Sequence, residues 1–209
     1  MNEVTESRAH LPAQKHAAPD TQPKRVISPA RLAHVVLRTS QFDALVAWYT
    51  TTLGAHVAFS NGALAFLTYD EEHHRIAVLA LPGLQRQPDG VTGMHHMAFT
   101  YHSLGDLVAT YERLGQLNIR PLTCINHGPT TSMYYADPDG NQVELQVDNF
   151  DTVERAGEFF YSPAFASNPI GVDFDPAELA RRFHAGEDEA SIKKRPDSGT
   201  RGLDSLNLR

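Results

Sequence analysis

The segments HVVLRT (residues 34–39) and HMAFTY (residues 96–101) open two stretches with the same grammar, 62 residues apart. Each is a short, mostly apolar run of the kind that forms a strand. After the first, Phe42, Leu45, Val46, Trp48, Tyr49 and Leu53 recur at spacings of three and four. That period predicts a helix, capped by Ser40 and stopped at Gly54. Three strands are expected next, near 55–59, 63–69 and 75–81, with Asn61-Gly62 turning between the first two. The Pro- and Gly-rich LPGLQRQPDGVTG (residues 81–93) is a connector. A strand over 94–101 then leads into a helix that Ser103 and Asp106 start in capping-box fashion, with Leu104, Leu107, Val108, Tyr111 and Leu114 on its apolar face. Strands near 121–126, 131–136 and 142–148 finish the second unit. The order is βαβββ twice, and a repeat this long suits two packed halves better than a solenoid.

Outward from the repeat the texture changes. Residues 1–28 are polar and proline-containing without periodicity, and are expected to form a flexible arm. The domain proper is placed at 29–150, with modules at about 31–81 and 94–148. Residues 151–186 are rich in aromatics and are expected to pack on the domain, with a helix begun by Asp175 and Pro176; the aromatics Phe159, Phe160, Tyr161 and Phe165 could cover an aromatic ligand or dock outside the sheet. Residues 187–209 are charged and turn-rich, and disorder is expected there.

The chain has 209 residues, 18 Lys and Arg against 25 Asp and Glu, 11 histidines and one cysteine, Cys124. Its formal charge of −7 argues against a general nucleic-acid binder. No apolar run approaches the roughly 20 residues that span a bilayer, and no secretory signal is evident, so a soluble cytoplasmic protein without membrane contact is expected. A lone cysteine forms no internal disulfide or thiolate cluster, so a metal would need imidazole and carboxylate ligands.

His34 and His96 hold equivalent places on the opening strands. Alone, each would ordinarily be a hydrogen-bonded core histidine; as a pair they can converge where the modules meet. Glu144 lies on the last strand, where Gln142, Glu144 and Gln146 alternate with Val143, Leu145 and Val147. That polar face is either solvated or lines a cup in which Glu144 completes a two-His-one-carboxylate set, the arrangement of non-haem Fe(II) oxygenases. Tyr134 and Tyr135 point to opposite faces of their strand. Cys124 reads as an apolar filler, and His95 as a surface or supporting residue.

The chain resembles the vicinal oxygen chelate superfamily (glyoxalase, bleomycin resistance and extradiol dioxygenase proteins) over about residues 31–150. The resemblance rests on the register of His34, on His96-Met97-Ala98-Phe99, and on the pattern Tyr-x-x-Pro-x-Gly-x-x-x-Glu from Tyr135 to Glu144. Ala47-Trp48-Tyr49 followed by Leu53-Gly54 agrees with it. It implies an α+β fold in which two βαβββ modules form an eight-stranded, incompletely closed cup. The pattern is closest to single-domain extradiol dioxygenases, which implies Fe(II), with Mn(II) as an alternative, held by His34, His96 and Glu144. It further implies a catechol-type aromatic diol and dioxygen as substrates, a place in aromatic catabolism and a homo-oligomer. Tyr134 would orient the diol, and His127, with His74 behind it, would move protons. His127 stands closer to the tyrosine than the family's spacing, and Leu81 occupies the place where a further acid-base histidine is expected.

Two other readings remain. A glyoxalase-type isomerase or lyase would need a fourth ligand within Arg75 to Leu79, where no Glu, Gln or His occurs; His73 and His74 are the nearest substitutes. A non-catalytic module that binds an aromatic drug would not need the triad.

Overall fold

The structure is a computed structural model describing residues 26–205. The first module runs β1 (Val35–Thr39), α1 (Phe42–Leu53), β2 (His56–Ser60), β3 (Leu64–Thr68) and β4 (Ile76–Ala80). Its sheet has the order β1-β4-β3-β2, with β1 parallel to β4 and the other pairs antiparallel. The second module repeats this with β5 (His96–Tyr101), α2 (Leu104–Gln116), β6 (Thr123–Asn126), β7 (Thr130–Ala136) and β8 (Gln142–Asp148). There β5 runs parallel to β8.

Alternation along the strands turns one face of each sheet toward a helix. In β1, Leu37 and Thr39 are buried while Val36 and Arg38 are exposed. In α1, Leu45 and Tyr49 are wholly buried, and α2 buries Leu104, Leu107, Val108 and Leu114. Each such aliphatic side chain contributes roughly 1.5–3 kcal/mol when fully removed from water. These residues join one core that spans both modules, with Cys124 inside it as the expected filler. Burial pushes that thiol up to about 12, so it is inert near neutral pH.

Three expectations need correction. Gln41, not Ser40, is the N-cap of α1 and makes no side-chain cap bond; the Thr39 hydroxyl accepts the Gln41 amide instead, 2.8 Å away, and Ser40 Oγ donates to the Leu84 carbonyl. Among the described residues the two modules supply the eight strands expected, and the C-terminal extension adds a ninth that was not expected. That strand, β9 (Val172–Asp173), pairs antiparallel with β6, giving the order β5-β8-β7-β6-β9. Among the described residues the two sheets are not joined by a strand ladder and do not close into a barrel.

The third concerns the tail. The extension folds as α3 (Val153–Phe159), α4 (Pro163–Ser167), β9 and α5 (Pro176–His184), the last begun by Asp175 as expected. Beyond residue 187, where disorder was expected, α6 (Glu189–Lys193) is capped by Asp188 and buries Ile192. One apolar anchor and one cap are enough to dock a short helix whose composition is otherwise polar. The expected arm, as far as residue 25, and the last four residues lie outside the described residues. Among the described residues no helix is long and apolar enough to cross a membrane.

Candidate active site

The register of the ladders fixes which residues correspond between modules. Val36 pairs with Ala77 in the first sheet, as Ala98 pairs with Glu144 in the second. Phe66 pairs with Ala77, as Tyr134 pairs with Glu144. The position equivalent to Glu144 is therefore Ala77, which has no donor atom, and the position equivalent to Tyr134 is Phe66. The polar constellation is built on the second sheet alone.

Glu144 is 4% exposed. Its Oε2 lies 2.9 Å from Nε2 of His96, and it also accepts a hydrogen bond from Ser132. Burial alone would raise its pKa, but the His96 and Ser132 hydrogen bonds outweigh that and hold the carboxyl below its ordinary value. Nδ1 of His96 faces Nδ1 of His95 at 2.7 Å, so His95 supports the ring from behind.

Tyr134 reaches the same carboxylate and stands 2.8 Å from Nε2 of His127. Burial, then the charge of Glu144 and the hydrogen bond to it, push the phenol well above its ordinary value, so it is a neutral donor. Tyr135 points the other way into the core, as alternation requires. His127 sits in the three-residue turn between β6 and β7, where Gly128 takes a φ of +102° that favours glycine. Its Nδ1 is hydrogen-bonded to the carbonyl of Ile170. A carbonyl only accepts, so Nδ1 carries the proton in the neutral ring and Nε2 is left as an acceptor facing Tyr134. Burial lowers the His127 pKa, so that neutral form prevails near pH 7.

Sequence reasoning missed the Ile170 carbonyl and the Ser132 hydroxyl. Ile170 is held by Asn168, whose Oδ1 accepts the amides of Ile170 and Gly171 at 3.1 and 2.7 Å. A Cβ at Gly171 would meet the Asn126 carbonyl oxygen at 2.4 Å, and its φ is +116°. A cavity of about 540 Å³ opens over this set, lined by His95, His96, Thr123, His127, Tyr134, Gln142, Arg201 and Ser205 together with Leu122 and Ile125. Convergent polar groups beside apolar side chains suit an aromatic ring with adjacent hydroxyls.

The structure does not bring every expected site residue together. The ring of His34, one residue before β1, lies 4.3 Å from that of His74, and His74 stacks on Phe66 at 4.4 Å. Among the described residues no three His, Cys, Asp or Glu side chains gather as a metal-holding group. The pair His96 and Glu144 does suit a metal: two ligand atoms ~2.1 Å from one ion at right angles stand ~3 Å apart, which is the separation found.

Residues 31–145 match the model of the Glyoxalase/Bleomycin resistance protein/Dioxygenase superfamily. The chain belongs to that superfamily. Two relatives of the chain are biphenyl-2,3-diol 1,2-dioxygenases of Rhodococcus globerulus. Number 2 is 49% identical over 157 residues, covering 75% of this chain and 83% of its own. Number 3 is 45% identical over 167 residues, covering 79% and 88%. A 3-methylcatechol 2,3-dioxygenase of Pseudomonas putida is 26% identical over 155 residues, covering 64% of this chain and 51% of its own. The family assignment accords with two modules of one fold and a cavity on the second sheet.

Proposed function

We propose that this superfamily member is an Fe(II)-dependent extradiol dioxygenase acting on a catechol-type aromatic diol. The observation that carries the reading is the 49% identity to a biphenyl-2,3-diol 1,2-dioxygenase. The linked set His96, Glu144, Tyr134 and His127, of which His96, Tyr134 and His127 line the cavity, supports it. His96 and Glu144 would hold the metal with His34 as the third ligand, an oxygen and nitrogen donor set that suits Fe(II) and also Mn(II). The bound metal would supply Lewis acidity to the adjacent oxygens of the diol and a place for dioxygen.

The remaining work falls to the protein's own groups. Leu122 and Ile125 pack on the ring and its substituent and keep water from that side. The Tyr134 hydroxyl, neutral and hydrogen-bonded, fixes the in-plane orientation of a diol oxygen. Nε2 of His127, its acceptor role set by Ile170, takes a proton as the diol binds and returns one as the ring opens. His74 lies against His34 and Phe66, so its part is to pack beside a metal ligand. A reducing cytoplasm is the setting we infer for a ferrous enzyme.

A glyoxalase-type lyase with one donor pair from each module would need a ligand at Ala77, and alanine offers none. The test is oxygen uptake by iron-loaded protein over a panel of catechols including biphenyl-2,3-diol. Uptake matched by ring-opened product is expected. Bound iron with no oxygen consumed on any diol would overturn the reading.

A further inference from the structure

Behind the turn that carries His127 lies a second cavity, of about 620 Å³, that the proposed reaction does not use. Its walls come from the turn itself, from the segment after β8, from α3, and from α6 with the residues that follow it. The chain as a whole is acidic, with a formal charge of −7. Yet Arg155, Lys193, Lys194 and Arg195 line this cavity against only Asp151 and Glu189. Two rings stand among the cations. Phe150 and Phe159 lie 5.9 Å apart, centroid to centroid, with Arg155 5.9 Å over Phe150 and Arg195 5.6 Å over Phe159.

The cations differ in how well they are satisfied. Arg155 lies 3.8 Å from Asp151, an exposed pair that holds little. Lys193 donates to the backbone carbonyl of Asp148 at 3.2 Å. Arg195 is partly buried and donates to the carbonyls of His127 and Ala164, at 3.1 and 3.4 Å. Among the described residues no carboxylate is paired with it, and burial lowers its pKa with no neighbouring anion to offset that. Carbonyls offer only partial charge. A guanidinium in this state favours a carboxylate, whose two oxygens match its planar fork with two charge-assisted hydrogen bonds.

We propose that this second cavity binds an aryl carboxylate, its ring beside Phe150 and Phe159, its carboxylate on Arg195, and Lys194 at the rim supplying further positive charge. The site is coupled to catalysis through the turn. His127 lines the active-site cavity and Gly128 lines this one. Gly128 is packed so closely on Phe159 that a Cβ there would run into the ring. The His127 carbonyl is one of the two that Arg195 holds. A carboxylate that takes the donors of Arg195 releases that carbonyl, and the proton-accepting imidazole loses part of its support. Occupancy therefore lowers kcat without competing with the diol. The binding stands apart from the dioxygenase reading; the kinetic consequence rests on it. In the proposed reaction on a biphenyl diol, the bond between the aryl-bearing carbon and its hydroxyl-bearing neighbour breaks and each carbon gains one atom of dioxygen. That leaves an aryl ketone and, after loss of one proton, a carboxylate. The product thus belongs to the class the second cavity suits, and the site provides feedback by product.

The test is calorimetric titration of the full iron-loaded chain with trans-cinnamate, an aryl carboxylate with no diol to cleave, followed by oxygen uptake on a catechol at fixed cinnamate concentrations. Cinnamate is expected to bind, and Arg195→Leu to weaken it by at least about 10-fold. Arg195→Lys should weaken it less, because the charge stays while the planar fork is lost. Acetate, which offers the carboxylate without the ring, should bind at least about 10-fold more weakly than cinnamate. Tyr134→Phe alters only the active-site cavity and should leave cinnamate affinity as in the wild type. In the uptake assay cinnamate should lower kcat with KM for the catechol unchanged. Absence of binding at millimolar cinnamate, affinity indifferent to Arg195→Leu, or inhibition purely competitive with the catechol would each overturn the proposal. Should Arg195→Leu not fold, Lys194→Glu at the exposed rim serves instead: weaker cinnamate binding is expected, and unchanged binding overturns the site. Protein that binds cinnamate as described but consumes no oxygen on any catechol would overturn the dioxygenase reading and leave this site standing.

Discussion

The phenol oxygen of Tyr134 lies 2.8 Å from Nε2 of His127, and the same hydroxyl is hydrogen-bonded to Glu144. One proton therefore has two acceptors, an imidazole nitrogen fixed by the Ile170 carbonyl and a carboxylate fixed by His96 and Ser132. A substrate oxygen entering beside Tyr134 meets a donor that can release either partner. Replacing Tyr134 by Phe removes that donor but not the metal ligands. Iron content should be unchanged and kcat should fall by about 100-fold, the usual cost of losing substrate orientation. Steady-state kinetics beside iron analysis checks this.

His127 gives the account its pH dependence. Burial holds its pKa below the ordinary value near 6.5. The neutral ring accepts a proton, so activity should be full at neutral pH and fall on the acid side, below the ordinary imidazole range, as Nε2 becomes protonated. His127→Gln should lower kcat by roughly 10²–10⁴ and abolish that acid limb. A pH profile of kcat for the two proteins reads both effects.

Gly171→Ala tests the support behind His127. A Cβ there would meet the Asn126 carbonyl at 2.4 Å, and the backbone sits at a φ of +116°. Strain of about 1–3 kcal/mol is expected, seen as a lower denaturation midpoint. The shift of the neighbouring Ile170 carbonyl should also lower kcat more than it raises KM.

Tyr49→Phe tests the link between modules. The Tyr49 hydroxyl is buried and donates to Asp137, whose Oδ1 also accepts the amides of Asp139 and Asn141. Losing a hydrogen bond to a charged group should cost about 1.5–3 kcal/mol at pH 7. Burial raises the Asp137 pKa in spite of these bonds. Ionised Asp137 is thus disfavoured in the folded state, and the strain on it is relieved as pH falls through the raised value. In that range Tyr49 faces a neutral acid and a weaker bond, so the gap between wild type and Tyr49→Phe should narrow toward acid pH. Urea unfolding at two pH values measures it.

The repeat was legible because period and register are local properties of sequence: the histidines 62 residues apart marked the start of both modules, and the alternation of side chains put Glu144 and Tyr134 on one sheet face, where they pair. What escaped reading was tertiary. The Ile170 carbonyl acts through its backbone, which carries no sequence signature, and it reaches His127 from 43 residues away. The helix at 189–193 rests on a single buried apolar residue, Ile192, inside a charged stretch. The place of His34 could not be read either, since spacing says which strand opens a module and nothing about which module it faces.

Ring cleavage by insertion of dioxygen is read by supplying iron-loaded protein with biphenyl-2,3-diol under isotopically labelled dioxygen and weighing the ring-opened product at once, before its carbonyl oxygen exchanges with water. Both label atoms are expected in one product molecule. A ring-opened product that carries no label, or a diol returned unchanged by protein that holds its iron, would overturn the dioxygenase reading.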